Sequence, residues 1–104
     1  MALISLEEAK NYLRVDAGDE DALIGVLLSS AEKLCADVAR LSEEQWSAVN
    51  GTDDSEQLTS LRAVLRVAIL YALGYFYEHR EQADHHALTL TLRNLLFSVR
   101  EGIL

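Results

Sequence analysis

A single cysteine, Cys35, is all the thiol chemistry this 104-residue chain carries. No internal disulfide can staple it, and a reducing compartment is the matching environment. Basic residues are also scarce: 9 Lys and Arg stand against 17 Asp and Glu, for a formal net charge of -8. The deficit is concentrated in residues 1–56, with 13 acids against 4 bases. Broad binding to a phosphate backbone relies on clustered cations, so the first half is excluded from that role. No apolar run reaches the ~20 residues of a membrane span, because the longest near-apolar stretch, Ala63 to Tyr77, contains Arg66. The start, MALISLEEAK, lacks the basic flank and apolar core of a signal peptide. The cytoplasm is therefore the expected setting, and no membrane is expected as a partner. A phosphate-cradling glycine loop, a nucleophile elbow, a paired-cysteine motif and a buried carboxylate pair are missing too, so the chain does not read as an enzyme.

What is there is apolar. Hydrophobic residues make up 50% of the chain and the mean hydropathy is +0.06, an excess that points to association when it sits on an acidic protein. The length fits one domain spanning residues 1–104, which would bury roughly 65% of its unfolded surface. Residues 57–104 carry 4 acids against 5 bases, so the two halves can attract each other, within a subunit or between subunits.

The pattern predicts an all-α bundle of about four helices built around one long helix, Leu58 to Arg80. Leu61, Leu65, Ala68, Ala72 and Phe76 line one face of that helix at helical spacing. A second stripe, Ala63, Val67, Leu70 and Gly74, lies opposite, flanked by Arg62 and Arg66. A helix apolar on two faces wants two neighbours, so the second stripe and its two arginines are the candidate subunit interface. Neither arginine has an acid three or four residues away, and each needs a partner elsewhere.

Before the long helix, Ser5 and Glu8 form a capping-box pattern ahead of a short helix from Leu6 to Leu13. A turn at Gly18 is expected to use left-handed angles. Asp19 is the expected N-cap of a helix running to Arg40, with a stripe of Leu23, Leu27, Ala31, Leu34, Val38 and Leu41 widened by Ile24, Leu28 and Cys35. Ser42 and Gln45 repeat the capping box before a turn or two around Trp46, ended by Asn50 and Gly51; Asp54 or Ser55 caps the long helix. Behind it, EQADHH reads as a connector. The segment ALTLTL alternates with period two, as a strand would, but Leu88, Leu92, Leu95, Leu96, Val99 and Ile103 keep helical spacing, which predicts a helix from Leu90 to Arg100.

Possible sites give way to structural readings. The acids Asp16, Asp19, Glu20 and Asp21 fit no calcium-loop frame and read as helix-capping groups. His79, His85 and His86, even with Glu78 or Asp84, lack the ligand spacing of a zinc site. Cys35 falls on an apolar stripe with no cation beside it and reads as a core residue. Tyr71, Tyr75 and His79 line one helix edge, where packing outweighs ligand binding. No metal and no cofactor are expected.

Three stretches in order, SLEEAKNYLRVD, DEDALIGVLLSSAE and AILYALGYFYEHRE, resemble the small head–tail connector proteins of tailed bacteriophages and prophages, also described as head-completion or DNA-packaging proteins. The link ADHHALTLT departs from the family, where a proline or glycine often precedes the last helix. The resemblance implies a structural protein forming a ring, dodecameric in the virion. The ring would sit beneath the portal protein, contact a downstream tail-completion protein, and line the passage for double-stranded DNA without binding it specifically. It implies the virion head–tail junction as final location, with assembly in the host cytoplasm. It also turns the C-terminal end towards the portal, making Arg93, Leu96, Val99, Arg100 and Ile103 the candidate portal contacts. The alternative is a small cytoplasmic helical regulator or adaptor acting as a dimer.

Overall fold

The computed structural model describes residues 3–52, 55–79 and 86–100, with the side chains of residues 98 and 100 outside the description. The expected connector after the long helix falls almost wholly outside these residues. Six helices follow in order: α1 (Leu6–Leu13), α2 (Asp21–Val38), α3 (Glu43–Val49), α4 (Glu56–Glu78), α5 (His86–Leu95) and α6 (Phe97–Arg100). Among the described residues there is no strand, and the all-α expectation holds.

α4 is the axis. It packs most extensively on α2 and also touches α1, α3 and α5. Leu65, Ala68, Ile69, Ala72 and Leu73 are its fully buried residues, so the expected core stripe is right in position and wider than drawn. By length and composition alone α4 could cross a bilayer. Its buried face is accounted for by packing against four other helices.

Caps account for the helix boundaries. Ser5 accepts from the Glu8 amide at the start of α1, and Ser55 from the Leu58 amide at the start of α4. At α3 the capping box is complete: Ser42 Oγ accepts from the Gln45 amide and Gln45 Oε1 from the Ser42 amide. At α1 the box is only half made, because the Glu8 carboxylate is drawn away to Arg66. α2 also departs from expectation. Its N-cap is Glu20, with no side-chain cap, and Asp21 faces Lys10 of α1 at 2.8 Å. Lys10 is the group that answers Asp21 Oδ1, an oxygen otherwise cut off from water and without another donor.

Among the described residues, the left-handed ones are not glycines. Arg14 (φ 61°) and Arg40 (φ 59°) hold that conformation and close α1 and α2 with paired bonds. Arg14 N donates to Asn11 O and Val15 N to Lys10 O; Arg40 N donates to Asp37 O and Leu41 N to Ala36 O. This is the Schellman arrangement, in which two bonds satisfy carbonyls the helix end would leave open. Gly18, expected to supply the left-handed angle, does not adopt it.

The buried centre of α2 is Ile24, Leu28, Ala31 and Cys35: Ala31 from the expected stripe and the three residues that were expected only to widen it. α1 and α4 both press on α2. Burial pushes the Cys35 thiol up to about 12, with the nearby Glu32 charge adding to the effect.

The period-two segment is helical, beginning at His86 rather than Leu90. Leu88, Leu92 and Leu96 recur every four residues and are at most 1% exposed, while Leu90 faces solvent and Thr91 Oγ1 donates back to Ala87 O. The alternation arises because a threonine precedes or follows each leucine, without any two-sided burial. Leu96 lies at the break between α5 and α6, fully buried. Leu96→Ala is expected to lower unfolding free energy by about 2–5 kcal/mol in a denaturant titration, the cost of emptying a packed leucine site; a loss near zero would show this end to be undocked.

Candidate subunit interface

The outer face of α4 splits into two parts. Ala63 is exposed, Val67 is 60% exposed and Tyr71 43%, forming a short apolar ridge at steps of four. Leu70 and Gly74 are half-buried. A Cβ built on Gly74 would lie 3.2 Å from Tyr12 Cε2, so the small residue admits α1 of the same subunit. The stripe expected to approach another copy thus keeps only its Ala63–Val67 part open, continued by Tyr71.

Both arginines find partners within the subunit. Arg62 Nε donates to Val49 O at 2.8 Å, and its Nη2 to Ala48 O at 3.3 Å and Gly51 O at 3.2 Å. These carbonyls end α3, where a guanidinium fork both satisfies acceptors and faces the negative end of the helix dipole. Arg66 Nη1 donates to Leu3 O at 2.7 Å, while its two terminal nitrogens engage the Glu8 carboxylate. The hydrogen bond from Arg66 holds the Glu8 carboxyl below the usual carboxylate range, and the same bond raises Arg66. Asn50 completes the cluster: its Oδ1 accepts from Leu3 N and its Nδ2 donates to Trp46 O. The expected attraction between the acidic first half and α4 is therefore realised inside the fold.

At the far end of α4, Tyr75 and His79 stack with ring centroids 4.3 Å apart, and Tyr77 donates to Glu20 at 3.0 Å. Together with Tyr12, Tyr71 and Gly74 they border a cleft of about 510 Å³. Among the described residues no cluster of three His, Cys, Asp or Glu could hold a metal ion.

Two further surfaces emerge, one on the C-terminal segment already expected to meet a partner and one new. Leu90 (46% exposed), Leu95 (38%) and Phe97 (54%) crop out along α5 and α6. Between α2 and α3 runs an open groove of about 940 Å³, bordered by Glu32, Asp37, Glu43, Leu41 and Trp46. Burial holds the Glu32 carboxyl above the usual carboxylate range. The groove escaped notice because it combines residues from two helices, and on the C-terminal segment the exposed members are Leu90, Leu95 and Phe97 where Leu96 and Val99 were expected.

The model of the phage gp6-like head-tail connector proteins matches residues 3–104. The chain belongs to this family. It is a bacteriophage head–tail connector protein, structural rather than catalytic, whose place is the virion head–tail junction and whose partners are other head and tail proteins. No curated protein and no solved structure matches the chain.

In this connector the residues expected to meet the portal divide sharply. Leu96 is core and Val99 is partly buried against the core, which takes both out of a free docking stripe; their helical spacing is used inside their own subunit. Arg93 is exposed on α5. The Arg100 side chain and Ile103 lie outside the described residues.

Arg62→Ala is expected to destabilise the protein by about 1.5–3 kcal/mol, the range for hydrogen bonds to a charged donor. Emission from Trp46, the one tryptophan, should shift to the red as α3 loosens; an unshifted spectrum with unchanged stability would overturn the clamp. Because the folded Glu8 value is depressed, its contribution is present above the ordinary carboxylate value of about 4.3 and is lost as pH falls through the lower folded value. Glu8→Gln should therefore cost about 0.2–1 kcal/mol at neutral pH, given the half-exposed pair, and unfolding free energy measured from pH 6 to pH 3 should fall less steeply than in the wild type.

Proposed function

We propose that the chain is one subunit of a closed ring, dodecameric in the assembled virion, seated between the portal and a downstream tail-completion protein, with double-stranded DNA passing through its opening. The family match across residues 3–104 carries the reading. The exposed ridge of Ala63, Val67 and Tyr71 supports an assembled state, since a compact subunit leaves such a ridge open at a cost in apolar exposure. The charge of -8 supports it too: an acidic lining repels the phosphate backbone and lets DNA slide without adhering. Residues 1–104 act as a single domain, and the end from Arg100 through Ile103 reaches the portal. Host cytoplasm is where subunits fold before assembly. Family membership favours this role over that of a dimeric cytoplasmic regulator.

Native mass spectrometry of the purified protein, alone and with portal protein, tests the proposal. Ring-sized species are expected on the portal, and removal of residues 101–104 should weaken that association while leaving the melting temperature unchanged. A stable dimer that ignores the portal would overturn the ring.

A further inference from the structure

A closed ring of identical subunits needs two unlike, complementary surfaces on each copy, because a head-to-tail contact never pairs a patch with itself. We propose that the α2–α3 groove of one copy receives the α5–α6 outcrop of the next, with Phe97 entering beside Trp46 and Leu41 and Arg93 meeting Glu32. The inference rests on the ring proposed above and names the contact that would close it.

Charge makes the match. Residues 86–100 hold two arginines and no acid in a protein that otherwise carries 17 acids against 7 other bases. Arg93 is exposed and has no ion-pair partner among the described residues. Across the proposed contact, Glu32, Asp37 and Glu43 border the groove with Lys33 as its one cation. Lys33 is engaged with Asp37 at 3.5 Å. Glu32 is different. It is half-buried, and no hydrogen bond or ion pair to it occurs among the described residues. A carboxylate partly withdrawn from water without a cation is costly to leave so, and an incoming guanidinium relieves that cost.

Apolar complementarity runs in parallel. Phe97 and Leu90 stand about half exposed on one side; on the other, Trp46 and Leu41 are half-buried at the edge of a groove of about 940 Å³, ample for an aromatic side chain and its neighbours. Aromatic and arginine side chains are the residues that dominate well-packed interfaces. A portal segment of similar chemistry is the competing occupant. The acid-free composition of α5–α6, confined to one element of this same chain, favours the second copy.

The test uses charge exchange and a cross-link on the full chain, read by native mass spectrometry with portal protein present. Arg93→Glu and Glu32→Arg should each reduce ring-sized species at least tenfold, and the two together should restore them. In a separate chain carrying Ser47→Cys and Phe97→Cys, oxidation should give a ladder of covalent multimers, whereas either substitution alone should stop at dimers or below. Cys35 is buried and does not interfere. Normal rings from both single charge variants, or no ladder from the double-cysteine chain when rings form, would overturn the groove contact while leaving the ring intact. Arg93→Glu rings that form normally but detach from the portal would reassign the outcrop to the portal. Absence of any ring from the wild type would instead defeat the ring itself.

Discussion

Two arginines one turn apart on α4 hold the rest of the fold in place. The helix is apolar enough to gather four neighbours, but apolar contact is non-directional and does not by itself decide where a seven-residue helix or the segment ahead of α1 should lie. Arg62 decides the first by binding the carbonyls that end α3, and Arg66 the second by binding Leu3 O and Glu8. Leu3 and Ile4, pinned by that contact and by Asn50, then become part of the core. The stabilisation from each bond is modest, and its directional content is large.

That arrangement explains why some features were legible in the sequence and others not. Helix positions followed from spacing: Leu6–Leu13 has the expected bounds, and the serine caps at Ser5, Ser42 and Ser55 use side chains whose chemistry acts within one turn. The long helix and its core stripe were readable for the same reason, as was the helical nature of the leucines at 88, 92 and 96, four residues apart. Local rules failed where a distant group competed. Glu8 left its capping box for a cation 58 residues away, and the left-handed turn fell on Arg14 because two carbonyls of α1 needed donors there, whatever the convenience of Gly18.

The candidate interface was legible only in part, for a geometric reason. A stripe on a helix says that something covers it, not whether the cover belongs to the same subunit. Gly74 is covered by Tyr12 and Leu96 by the core, whereas Val67 stays open. Spacing nominates all three equally. The α2–α3 groove was invisible for a different reason, since its border is assembled from the end of one helix and the exposed face of another across the Arg40 turn.

The buried thiol has a consequence for the particle outside the cell. A virion leaves the reducing interior in which it is built, and its proteins then meet oxygen. With its one thiol at 0% exposure and pushed up to about 12 by burial, this connector offers little thiolate to attack a neighbour. A connector at the head–tail junction therefore adds no random disulfide cross-links to the particle between release from one host and arrival at the next.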